Sequence, residues 1–499
     1  MAEPQDMGPE AAVAASGQAS PVEPRPPRTT RRDLVVLLLA AGSFTLLCLP
    51  VILRGAPLAD DFHNCVEPTR AGLDTFFAAS TQRLGAVRPA RFVEILVTTG
   101  VCQHLPFGFA IAVPLALTLL VAVLLRALLQ DMGVPAPWPT VGAVLWLAQP
   151  LGTEAALWPA ALHVPLGLAL ALAALLLHRR GRHGWATVAA LGACLSAEQV
   201  ILALPLAVWL TAPAGRRRRA TVLTLVMVVG VLATYAVWSG GDPRLQVGVV
   251  ERLRGVVTDP AFYVLFPAVG LGVHSIPLAM RWAFPLSVAV VAAAALVGWR
   301  VGPALQEHDQ APPAGRPDLL RRTLLVLALL ALINLPLVLQ VPRQGSPRTF
   351  TPTWLVLVAV AAAAGSWVCW RRPRFLGAAL GLFVGGAVLS LALSVSVRVQ
   401  TADFNEAAVR LLAERIPDGG VVAVCDVPRT AVTPAPRGAF AVHELIYDWA
   451  ARDALYYYTG RNAQFRLAGP LWGTRCPDTA GADLVVRFEE LRHPGGPVP

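Results

Sequence analysis

The sequence predicts a polytopic α-helical membrane protein of about eleven transmembrane helices, ending in a small extracytoplasmic α/β domain. Three observations predict it. The chain is 55% hydrophobic and only 14% charged, whereas soluble domains carry roughly a quarter charged residues. Its apolar residues gather into long runs. Its arginines gather between those runs, on the side of the N-terminal tail. A charge at the bilayer centre costs on the order of 3 kcal/mol, which accounts for the deficit. The net charge is +10 and there is no lysine. The basic residues cluster at helix ends, where topology explains them, so they do not point to nucleic acid.

Residues 1–33 are rich in Pro, Ala, Glu and Arg without apolar period, and read as a disordered cytoplasmic tail. Arg25, Arg28, Arg31 and Arg32 precede the run 34–53. That run is long for a signal-peptide core and lacks a small-residue cleavage site, so it reads as a retained anchor. The positive-inside rule places the tail in the cytoplasm. Further runs follow at 106–129, 138–150, 160–178, 185–197, 199–212, 220–238, 283–300, 322–340, 353–370 and 375–396. Several fall short of the ~20 residues that a straight span needs. Arg179, Arg180 and Arg182, then Arg216 to Arg219, Arg321 with Arg322, and Arg371, Arg372 and Arg374 all fall on the side of the tail. The odd count leaves the C-terminus outside. Residues 34–396 thus form the transmembrane domain of a multi-pass plasma-membrane protein. Its outer segments are 54–105, about 239–282 (with an interfacial piece at 261–280) and the tail 397–499. The tail mixes helix-like stretches (404–415, 444–458) with strand-like ones (420–425, 483–488), which reads as an α/β domain.

Seven cysteines divide by location. Cys48, Cys194 and Cys369 lie in apolar runs and read as packing residues. Cys65 with Cys102, and Cys425 with Cys476, each share one outer segment, on the oxidising side, so two disulfides are expected.

The first outer segment opens Pro57-Leu58-Ala59-Asp60-Asp61-Phe62-His63-Asn64. Adjacent carboxylates at a membrane face can do specific work: one takes a proton while its neighbour raises its affinity for it or orients it. A solvated turn is the plainer reading of such a pair. Further carboxylates fall on the same face: Glu154, in Gln149-Pro150-Leu151-Gly152-Thr153-Glu154, and Glu198, in Leu195-Ser196-Ala197-Glu198. Each lies beside or near a hydroxyl residue and could instead cap a short helix. Membrane-edge ions in so uncharged a chain point to function. Arg88, Arg343 and Arg348 lie in outer segments against the positive-inside trend, and their planar forks suit phosphate. Headgroup snorkelling is the other reading of these arginines. His163, at the head of its run, joins them as a candidate contact to substrate or phosphate.

In that order and sidedness, these residues resemble the GT-C fold glycosyltransferases, nearest the TMTC and protein O-mannosyltransferase type, over about residues 50–370. The likeness rests on Asp60-Asp61, Arg88-Pro89, Glu154-Ala155 with Trp158, Leu195-Ser196 with Glu198, and Arg348 with Phe350 and Pro352. It implies inverting transfer of a sugar from a polyprenyl-phosphate carrier to a glycan, lipid or protein acceptor at the outer face. Asp60 and Asp61 would be the catalytic acid pair, with Asp61 favoured as the general base. Glu154, Glu198 and Arg348 would contact substrate. The phosphate is its own leaving group, so no cofactor is required; a divalent metal could sit at Asp60, Asp61 and His63. Two other functions fit the same charges: a flippase for lipid-linked saccharide, and a non-catalytic scaffold for the C-terminal domain. Transporter sites, however, lie near the midplane and often between internal repeats.

Overall fold

The structure, a computed structural model, describes residues 31–57, 60–72, 89–148, 152–238, 283–306, 319–340, 351–425, 448–467 and 476–492. Among these, sixteen α-helices and three short strands are formed.

Each apolar run of the sequence forms a helix. The first gives α1 (Arg31–Arg54). The expected first outer segment is not a loop but carries two helices, α2 (Asp60–Ala71) and α3 (Pro89–His104). Then come α4 (Gly108–Asp131), α5 (Trp138–Leu147), the short α6 (Gly152–Leu157) and a 3-10 turn at Pro159–Ala161. The body continues with α7 (His163–Arg179), α8 (His183–Ser196), α9 (Glu198–Thr211) and α10 (Ala214–Trp238). It ends with α11 (Ala283–Gln306), α12 (Leu319–Gln340), α13 (Thr351–Arg371) and α14 (Pro373–Arg415). Two of these, α1 and α4, each 24 residues, are long and apolar enough to cross a bilayer. At 1.5 Å per residue they reach about 36 Å, against a hydrocarbon core of about 30 Å. Several other apolar helices are shorter.

The body's core lies between α1, α4, α5, α7 and α9, with Trp138, Trp146, Ile111 and Leu168 buried. Trp146 satisfies its indole by donating to the Thr118 carbonyl at 3.0 Å. Helices α11 and α14 approach so closely that a Cβ on Gly298 would collide with the carbonyl of Gly377.

The boundary expected at 396/397 falls inside α14, which runs for 43 residues. The physical reason is that neither Gly nor Pro occurs between Ala387 and Ile416. Its last turns therefore belong to the C-terminal unit. There β1 (Val421–Cys425) lies between β2 (Gln464–Leu467) and β3 (Leu484–Arg487) in a parallel sheet, order β2-β1-β3. Val422 stands beside Phe465 on one side and Leu484 on the other. Parallel strands need crossovers, and α15 (Asp448–Thr459) lies between β1 and β2 in sequence. A last helix, α16 (Phe488–Arg492), follows β3 directly. Ala408 and Leu412 of α14, Ala451 and Leu455 of α15, Val422, Phe465 and Val486 close this second core. The expected segments at 239–282, including 261–280, and nearly all of 1–33 lie outside the described residues.

Candidate functional site

Helix α2 starts six residues after α1 ends and belongs to both cores. Its successive side chains point in different directions, about 100° apart. Asp61 is wholly buried toward the helical body, and its Oδ1 accepts the Ala160 amide at 3.0 Å. That amide is available because Trp158 is extended (φ −105°, ψ 110°) and Pro159 starts a new turn, whose first N–H groups have no partner within it. The carboxylate fills that need.

The same turn leads into α7, whose first residue is His163. Its Nδ1 lies 3.1 Å from Glu94 Oε2, and the Glu94 side chain is wholly buried. Thr98 donates to the Glu94 carbonyl at 2.8 Å, a local back-bond within α3. Helix α3 is held against α2 by Thr99, which donates to the Asn64 carbonyl at 2.8 Å, and by a disulfide between Cys65 and Cys102. The Asn64 side chain is buried there, with its amide nitrogen and oxygen making no hydrogen bond among the described residues. Asp61 of α2 and Glu94 of α3 thus converge on one turn, residues 159–163.

The other side of α2 faces the C-terminal unit. Phe62 is fully buried in that unit's core, edge-on to Tyr457 and Tyr458 at 5.5 and 5.6 Å between ring centres. His63 Nδ1 lies 3.0 Å from Asp453 Oδ2, and Asp453 is wholly buried. Arg452 donates to Asp453 Oδ1 at 2.9 Å and to Glu67 at 2.8 Å. Arg70 donates to Asn462 at 2.8 Å and lies over the Tyr456 ring. One nitrogen of His63 and carboxylate oxygens of Glu67 and Asp453, within 4.8 Å of one another, could hold a divalent cation. The Arg452 guanidinium already supplies positive charge at that spot. A second disulfide joins Cys425, the last residue of the central strand β1, to Cys476.

Where α1 ends, Arg54 donates to Asp403 at 2.5 Å and to Glu406 at 2.6 Å. The Arg54 guanidinium beside it, and then Arg410, hold the Glu406 carboxyl below its usual range, against the opposing effect of partial burial. Five residues before Asp403 on α14 is Arg398, only 4% exposed.

The far end of the body holds a different polar cluster. Arg179 donates to the Asp131 carboxylate at 2.6 Å and also to the backbone carbonyls of Asp131 and Thr211. Arg216 donates to the Arg179 carbonyl at 2.8 Å. An apolar cavity of about 570 Å³, between α1, α5, α11 and α14, also opens at that end, beside Arg32 and Asp33, remote from Asp61.

Of the residues singled out by sequence, Asp61 and His163 meet the same turn, Asp61 through the Ala160 amide and His163 three residues later. Asp60 opens α2, Glu154 lies in α6, and Glu198 opens α9; their side chains lie outside the described set. The start of α9 is nevertheless close to α7: a Cβ on Gly167, one turn after His163, would sit 2.6 Å from the Ala197 Cβ. Arg88, Arg343 and Arg348 lie outside the described residues. Sequence reasoning missed Glu94, Asn64, Asp453 and Arg398. A lone carboxylate within Phe92-Val93-Glu94-Ile95-Leu96-Val97 was a readable signal for the first. Neither a family model, a curated protein nor a solved structure matches the chain.

Proposed function

We propose that the chain is a multi-pass membrane glycosyltransferase of GT-C type, moving a sugar from a polyprenyl-phosphate carrier to an acceptor at the extracytoplasmic face with inversion. The observation that carries this reading is the convergence of two wholly buried carboxylates, Asp61 and Glu94, on the turn that leads to His163. Buried ionisable groups at the end of an apolar helical body are expensive to keep and point to function. The buried Asn64 amide, still able to hydrogen-bond, suits a polar ligand at the same place. A membrane setting for more than two helices is supported by apolar side chains that face outward. Leu39, Leu46 and Leu53 on α1 are 66%, 76% or between exposed, and Val226 and Leu296 extend the pattern to α10 and α11.

In this reading the acceptor hydroxyl attacks the anomeric carbon, the carbon–oxygen bond to phosphate breaks, and the phosphate leaves with the electron pair. The acidic pair takes the hydroxyl proton. Asp61 is fully buried with one oxygen bonded to the Ala160 amide, which suits an anchor. The proton acceptor is then Asp60, revising the preference for Asp61. The departing phosphate needs guanidinium groups. Arg88, Arg343 and Arg348 retain that role in the proposal, and the buried Arg398 joins them. Glu154 and Glu198 remain substrate contacts. The donor and acceptor are the partners, and the arginines make a metal unnecessary.

The test is transfer by purified protein from a panel of polyprenyl-phosphate sugars. Product from wild type, lost in Asp60→Asn, supports the reading. Absence of product and of carrier hydrolysis across the panel overturns it. Movement of intact carrier lipid across vesicles without product would identify a flippase instead.

A further inference from the structure

We infer that the C-terminal unit is the positioning device of the acidic helix, acting through Phe62 and through Asp453 on His63. The inference rests on the transferase reading for its kinetic half only. Helix α2 has 12 residues, with Pro68 inside it. Helices this short are marginal in water on their own, so their partners set their position. On the body side, Asp61 bonds the Ala160 amide and Cys65 is bridged to Cys102. On the other side, Phe62 meets Tyr457 and Tyr458, His63 meets Asp453, Glu67 meets Arg452, and Arg70 meets Asn462 and Tyr456, all on α15 or just after it.

The two sides are coupled by helical geometry. Asp60 and His63 are three residues apart, so they share a face of α2, while Asp61 and Phe62 are neighbours about 100° apart. Phe62 cannot leave its pocket without turning α2, and turning α2 re-aims the acidic pair. Asp453 is the fixed point for this: wholly buried, it takes Arg452 on one oxygen and His63 on the other, at 2.9 and 3.0 Å. A donor Nδ1–H on His63 matches that carboxylate and sets the ring's orientation. Misplacement of a reacting group by about 1 Å can lower a rate about 100-fold. The C-terminal unit thus completes the site without supplying the base.

The experiment uses the full-length protein carrying Phe62→Ala, Phe62→Leu, Asp453→Ala or Asp453→Asn. In transfer assays the two Ala variants are expected to lower kcat about 10- to 100-fold, with KM for the carrier within about twofold. Asp453→Asn, which keeps an oxygen to accept from His63, and Phe62→Leu, which keeps the pocket filled, are expected to recover most of the rate. Amide hydrogen exchange, measured without substrate, is expected to rise across residues 60–71 in the Ala variants and to stay unchanged in α4. Unchanged exchange in α2 overturns the inference whatever the activity. Faster exchange with kcat retained also overturns it, because a loosened helix would then not matter to the chemistry. A wild type with no transfer activity sinks the transferase reading, while the exchange data still decide whether the unit holds α2.

Discussion

The two ends of the helical body both concentrate charge, but they use it differently. At the Arg179 end, the guanidinium donates to one carboxylate and two backbone carbonyls from other helix ends. These are the last carbonyls that every helix leaves unsatisfied, so the cluster is explained by helix termination. At the Asp61 end, carboxylates are wholly buried, held by a backbone amide and by histidines, and a neighbouring amide side chain keeps unused capacity. Termination of helices does not call for that arrangement. On the proposed reading, the contrast separates charge that closes a structure from charge held ready for chemistry, with Arg179 and His163 at opposite ends of the same helix, α7.

That contrast can be broken most directly by activity. Asp60→Asn and Glu94→Gln should each lower transfer by about 100-fold or more, with the melting temperature little changed for an isosteric amide. Arg179→Ala should leave the transfer rate of the folded protein intact. Loss of transfer in folded Arg179→Ala would erase the distinction between the ends. Next in size, removing the Cys65–Cys102 bridge by Cys102→Ser should destabilise the acidic end by about 2–4 kcal/mol, read as a lower melting temperature under non-reducing conditions. Arg179→Ala should cost about 1.5–3 kcal/mol, as loss of a hydrogen bond to a charged group does. Arg179→Lys should recover only part, because an ammonium cannot fork between three acceptors. Smallest is the Arg54–Glu406 pair, worth at most about 1 kcal/mol as a partly exposed pair. Because Arg54 lowers the folded carboxyl below its ordinary value of 4.5, its contribution is present above that pH. It is lost as pH falls through the lowered folded value. The melting temperature of Glu406→Gln should therefore vary less with pH than wild type across that acidic window, lying below wild type at neutral pH by the worth of the pair and meeting it once the wild-type carboxyl is protonated.

Helices were legible in the sequence because apolar runs are a local signal, and every such run within the described residues became one. The C-terminal mixture of helix and strand was legible for the same reason, at 420–425 and 483–488. What was not legible depended on distance or continuity. The boundary near 396 was placed where charge reappears, yet nothing there breaks a helix, so α14 continues. The strand Gln464–Leu467 alternates polar and apolar residues, but over only four residues, too short a stretch to stand out. In the site, Asp61 and His163 were found from their local surroundings. Glu94 was overlooked because its segment reads as a loop until α3 is seen. Asp453 lies 390 residues from its partner His63, and no local pattern can carry that pairing.

That separation has a consequence for how the molecule is made. Chains emerge from the ribosome N-terminus first, at about 5–20 residues per second. Phe62 and His63 therefore exist for some tens of seconds before α15 is synthesised. During that interval the acidic helix has its disulfide partner and the 159–161 turn, but not its seat. The seat of the acidic helix is consequently made late, and a chain stopped short of Asp448 would carry every residue of the acidic pair's own segment without the surface that holds it.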